Sequence, residues 1–112
     1  MAITYNSENR TSHAWNDHPE RMQLIEEYLG FTNIVVEIVE LRADGRYSRK
    51  GLTSSGVIVV RSLYEDRMIT AFMANEYQAV DICLRAGKKC VPPKLLNKIR
   101  KNNKRHPEIN LA

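Results

Sequence analysis

The chain has 112 residues, 43% of them apolar, enough for one domain with a single core and too few for two. No apolar run approaches the roughly 20 residues that a membrane-spanning helix needs, and the opening residues lack the apolar centre of a secretory signal; a soluble cytoplasmic protein with no membrane partner is expected. Net charge is +4, but residues 1–81 hold 8 Lys/Arg against 12 Asp/Glu while residues 82–112 hold 9 against 1, which points either to a polyanionic partner or to a solvated cationic tail.

In chain order, residues 1–15 are polar, with Tyr5, Ala14 and Trp15 as candidate anchors and Ser7 as the cap of a short helical turn. Asp17 with Glu20 three residues on resembles a capping box, and Pro19 suits a first helical turn. Met22, Ile25 and Leu29 recur at helical spacing, with Leu24 and Tyr28 widening the stripe. The expectation is an N-terminal helix over Asp17–Leu29, stopped by Gly30 and carrying Arg21 near its first turn. A strand over Asn33–Leu41 follows, with Ile34, Val36 and Ile38 on one face and Val35, Glu37, Val39 and Leu41 on the other. Asp44-Gly45 is a hairpin turn signal. Residues 46–55 read as a weaker strand or a mobile loop carrying Arg46, Tyr47, Arg49 and Lys50.

Residues 56–73, GVIVVRSLYEDRMITAFM, set two Val/Ile/Phe-rich runs around a polar turn, the composition of paired strands. A turn symmetric about Glu65 and Asp66 makes Leu63 face Met68, Arg61 face Thr70 and Val59 face Phe72. Arg61 and Thr70 then meet within an otherwise apolar row. An unpaired charge buried there costs several kcal/mol or more, so that face is expected to open onto a cleft or a partner. A loop one residue longer or shorter moves one strand's side chains to the other face. Asn75 with Gln78 caps a helix that carries Tyr77, Val80, Cys83 and Leu84 at helical spacing and ends at Gly87. Cys90 to Pro93 breaks the chain. A last helix is expected from about Pro93 to Arg105, with Leu95, Leu96 and Ile99 as its apolar patch. Lys94, Lys98, Lys101 and Arg105 fall on one stripe of it, with Arg100 and Lys104 alongside.

The expected architecture is α+β: an N-terminal helix, an antiparallel meander of three to four strands, and C-terminal helices. Residues 1–90 form the α+β domain, and residues 91–112 are a basic helical extension of it. Cys83 and Cys90 form no Cys-x-x-Cys pair, and His13 and His18, five apart, suit no common zinc spacing. No metal and no cofactor are expected, and reduced thiols are.

The order of elements and the wording of the central hairpin resemble small ribonuclease toxins of the barnase, EndoU, colicin and RelE-like superfamily. The matching pieces are Val57–Arg61, Ile69-Thr70-Ala71-Phe72, and His13 in SHAWNDHPER, covering about residues 12–74. The resemblance implies metal-independent RNA cleavage. His13 would exchange protons at the ribose 2′-hydroxyl and the leaving oxygen. Arg61 would stabilise charge on the phosphoryl oxygens, and Thr70 would bond the phosphate or orient Arg61. Arg21 for phosphate contact and Tyr47 for base stacking are lesser candidates. The expected partner is RNA or DNA, with a cognate inhibitor protein and a second copy of the chain as further candidates.

Each residue also has a structural alternative. His13 in a polar segment reads as an ordinary surface residue, Arg61 with Thr70 as a cross-strand pair at a sheet edge, Tyr47 as sheet cover, and Arg21 as a helix-surface charge. A second reading is a non-catalytic nucleic-acid-binding or regulatory module in which Lys94, Lys98, Lys101 and Arg105 contact phosphates. A third is a protein-interaction module of phage or mobile-element type, its basic tail docking an acidic partner. No helix-turn-helix, zinc-finger or RNA-recognition signature supports sequence-specific reading.

Overall fold

The computed structural model describes residues 2–3, 25, 28–29, 32–64 and 68–107. Among these, five strands lie in one antiparallel sheet in chain order: β1 (Ala2–Ile3), β2 (Thr32–Leu41), β3 (Tyr47–Thr53), β4 (Val57–Ser62) and β5 (Met68–Met73). The four long strands form a meander. Two helices follow, α1 (Glu76–Arg85) and α2 (Pro93–Arg105).

This corrects the expected arrangement. The first described element is a strand, and no N-terminal helix stands among the described elements before the meander. The proposed Asp17–Leu29 helix lies outside the described residues except at Ile25, Tyr28 and Leu29, where the backbone is helical but delimits no element. The sheet also has one strand more than expected, because Ala2 and Ile3 pair with Asn33 and Thr32. The short helical turn before Trp15 lies outside the described residues. Residues 46–55 hold a full strand, not a loop, with Leu52 and Thr53 wholly buried.

The sheet is apolar on both faces where β4 crosses it. On one face Val36, Leu52 and Ile58 pack against Ala79, Ile82 and Cys83 of α1 and Val91, Leu95 and Ile99 of the α2 region. On the other, Val57, Val59, Met68 and Ala71 pack against Ile25 and Leu29. A strand covered on both sides reads as a continuous apolar run, which is the pattern of Val57 to Val60. On β2 a bulge between Ile34 and Val36 breaks the simple alternation expected for that strand. Ile34 thereby sits against Gly51, on the Glu37 side of the sheet.

Asn75 caps α1 as its sequence suggests: its side chain accepts from the Gln78 backbone N–H at 2.8 Å, and the Gln78 side-chain Oε1 accepts from the Asn75 backbone N–H at 3.0 Å. The buried stripe of α1, however, is Ala79, Ile82 and Cys83, whereas Tyr77, Val80 and Leu84 face outward. Helix α2 is seated by its own side chains. Asn102 Nδ2 donates to the Ser55 carbonyl at 2.9 Å, and Asn103 Nδ2 to the Ala74 carbonyl at 2.7 Å. Gly56, at φ +84°, lets the β3–β4 turn approach closely; a Cβ there would stand 2.7 Å from Asn102 Nδ2. With Leu95 and Ile99 in the core, α2 is an integral layer of the domain. Among the described residues no helix is long and apolar enough to cross a membrane.

Candidate nucleic-acid interface

The central hairpin brings Arg61 to a different place from the one its symmetric reading implies. Ile58 pairs with Phe72, Val59 with Ala71 and Val60 with Thr70, and a bulge then pairs Arg61 with Met68. The ladder is displaced by one residue from the expected Arg61–Thr70, Val59–Phe72 and Leu63–Met68 pairs. Successive side chains alternate between faces, so Thr70 shares the face of Val60 while Arg61 lies on the other. The expected meeting of guanidinium and hydroxyl is therefore corrected: the two diverge across the sheet.

Arg61 is only 5% exposed, and its charge is balanced from an unexpected strand. Its Nη2 lies 2.8 Å from Glu37 Oε2 on β2, reaching across β3 at Gly51. Gly51 pairs with both Glu37 and Val59, and a Cβ there would come within 3.4 Å of Glu37 Oε2 and 3.3 Å of Ile34 Cγ2. The missing side chain opens the lane through which the ion pair forms. Arg49 stands directly opposite Arg61, an arrangement of like charges that is unfavourable alone. Its Nε and Nη2 both donate to the Ser62 carbonyl, at 3.1 and 2.8 Å, which fixes it beside the pair. The carboxylate Glu37 was the residue that sequence reasoning missed. Alternation along β2 places it on the sheet face opposite Val36, but only the strand order shows that Arg61 lies within reach.

Of the other candidates, Thr70 is half-buried, and Tyr47 opens β3 opposite Leu41 with 46% of its surface exposed. His13 and Arg21 lie outside the described residues. Arg61, Thr70 and Tyr47 thus form no convergent set.

Helix α2 does bring its candidates together. Burial of Leu95, Ile99 and Asn102 fixes which side faces the core, and Lys94, Lys98, Lys101 and Arg105 are all exposed, with Lys104 beside them. Among the described residues no carboxylate lies within ion-pair distance of these five cations. Two neighbouring guanidiniums are committed differently. Arg100 Nε meets Glu76 Oε1 at 2.6 Å, and Arg85 Nη1 meets Glu40 Oε2 at 2.6 Å. The hydrogen bond that the guanidinium donates to the carboxylate is in each case the main cause that raises the guanidinium pKa. Burial, and then the nearby Cys90, push the Cys83 thiol up, as suits an unreactive core side chain.

Among the described residues no group of three or more His, Cys, Asp or Glu is placed to hold a metal ion. Comparison with protein-family models, with curated proteins and with solved structures gives no match.

Proposed function

We propose that this protein is a non-catalytic nucleic-acid-binding module whose α2 cations contact the phosphate backbone. The observation that supports it is the row Lys94, Lys98, Lys101 and Arg105, exposed and without carboxylate partners among the described residues, on the flank of a helix whose adjoining side is core. At 1.5 Å rise per residue the row is roughly 16 Å long, a span over which a nucleic acid presents several phosphates. Rigid seating through Asn102 and Asn103 limits the ordering cost on binding. The metal-independent ribonuclease reading requires Arg61 and Thr70 to act on one phosphate; their opposite faces give it less support.

Salt titration of binding to a fluorescein-labelled oligonucleotide tests the proposal. About four phosphate contacts give a slope of log affinity on log salt of about −3 to −4. The Lys98→Ala/Lys101→Ala double variant should reduce that slope by roughly 1.5 to 2. Unchanged affinity and slope in the double variant would overturn the reading. RNA cleavage in EDTA that disappears in a folded Arg61→Ala variant would restore the ribonuclease in its place. Truncation after Gly87 is unsuitable here, because it removes Val91, Leu95 and Ile99 from the core.

A further inference from the structure

The sheet has two edges, and they are finished differently. At the β5 edge the Ala74 N–H donates to the Gly56 carbonyl at 3.0 Å, one step beyond the Met73–Val57 pair. Bonded and non-bonded pairs alternate in an antiparallel ladder, so Ala71 and Met73 turn their N–H and C=O groups away from β4. Both residues are buried, 0% and 1% exposed. At the β2 edge the Arg42 N–H donates to the Arg46 carbonyl at 2.8 Å, one step beyond the Leu41–Tyr47 pair. The same alternation turns the N–H and C=O groups of Glu37, Val39 and Leu41 away from β3. β1 pairs only with Thr32 and Asn33, and among the described residues nothing bonds to that outward row. Val39 and Leu41 are 55% and 58% exposed.

An open edge is ordinarily guarded by Lys, Pro or an unmatched charge. Residues 37–41 hold no Lys and no Pro, and their charges are matched within the chain. Glu37 turns over Gly51 to Arg61, Glu40 meets Arg85, and just beyond them Arg42 meets Asp44. The edge is close to neutral, while the α2 cations stand on a helix that packs against β5, on the other side of the sheet. The bulge between Ile34 and Val36 confines the straight open run to these five residues.

We propose that this edge pairs antiparallel with the same edge of a second copy, about a two-fold axis at Val39. Val39 then exchanges both backbone bonds with Val39 of the other copy, and Glu37 does so with Leu41 on either side, about six hydrogen bonds in all. The strand selects this register by itself. An axis at Glu40 sets two carboxylates face to face, and an axis at Ile38 runs Leu41 into the bulge at Val35. In the chosen register no charge faces its like directly, and the exposed Val39 and Leu41 side chains of one copy lie along those of the other. A second copy thus supplies the outward backbone groups, the apolar side chains and the neutrality that this edge matches. Because the β5 edge is covered, the contact closes as a dimer and does not propagate. The two meanders become one sheet, with an α2 helix toward each end.

Sedimentation velocity of the full chain over about 1 to 300 μM tests this, a range suited to the affinity of a short interface. The mass should rise from 12.9 kDa toward twice that value. Only a residue on the axis meets itself. Val39→Lys and Val39→Glu should therefore each weaken dimerisation roughly tenfold or more, and an equimolar mixture of the two should restore it. Position 39 is exposed, and a thermal melt checks that both variants fold. Hydrogen exchange of the wild type supplies a readout that needs no variant: the Val39 and Leu41 amides should gain protection as concentration rises. A mass that stays at 12.9 kDa, or exchange at those amides that ignores concentration, would overturn the proposal. So would a dimer that survives Val39→Lys, a mixture of the two variants that stays monomeric, or a dimer that Leu84→Glu abolishes, which would place the contact on α1.

Discussion

Arg61 and the cationic row of α2 carry the same charge in opposite settings. Arg61 lies in the sheet, 5% exposed and paired with Glu37; Lys94, Lys98, Lys101 and Arg105 stand on a helix surface in water. A buried guanidinium must be matched within the protein, because leaving water costs more than most single contacts return. Its partners are then already committed, and a phosphate would have to displace Glu37. An exposed lysine has no such debt and can exchange a counterion for a phosphate. A cation among apolar residues is conspicuous in a sequence, yet here the conspicuous one is structural in its contacts and the plain surface row is the better candidate for binding.

Three experiments break or sharpen this contrast. Glu37→Ala takes the carboxylate from a guanidinium whose side chain is 6% exposed, and should destabilise the fold by about 3 kcal/mol in urea unfolding. Pairing it with Arg61→Leu should recover most of that loss, and oligonucleotide affinity should stay unchanged in the double variant. Affinity lost there, with stability restored, would move Arg61 into the binding surface. Gly56→Ala forces a left-handed conformation on a residue with a Cβ, a cost of about 1–2 kcal/mol, and adds a clash with Asn102 Nδ2. Lower stability together with weaker oligonucleotide binding would show that the cationic row depends on the seating of α2. The smallest effect belongs to Glu76→Gln. This exposed ion pair should contribute less than about 1 kcal/mol to stability. Releasing Arg100 should raise oligonucleotide affinity by a few-fold at low salt, and weaker binding instead would place Glu76 itself in the site.

Local signals carried well where local physics decides. The Asn75–Gln78 capping box, the strand character of residues 57–62 and the bounds of α2 at Pro93 and Arg105 depend on neighbours a few residues apart. Position within a helix or strand also made the α2 cation row readable, because i, i+4, i+7 spacing alone puts those side chains on one side. Where two stripes competed on α1, spacing was not enough. Tyr77, Val80 and Leu84 are bulkier as a set than Ala79, Ile82 and Cys83, yet the second set is the one buried in the core. The residues 65–67 between β4 and β5 lie outside the described residues, but the ladder on either side shows a one-residue offset and a bulge. Register has a period of two, so that offset alone separated Arg61 from Thr70.

By itself, then, the sequence determined the α+β class, an antiparallel meander of three to four strands, the two C-terminal helices and the cationic side of the last one, all consequences of short-range periodicity and capping, while its N-terminal helix does not appear among the described elements. Only the tertiary structure decided that Glu37 crosses β3 at Gly51 to meet Arg61, which stripe of α1 is core, and that α2 is an integral layer. Those outcomes rest on contacts between residues 24 or more apart in the chain, which are set by strand order and close packing and leave no mark on any local pattern.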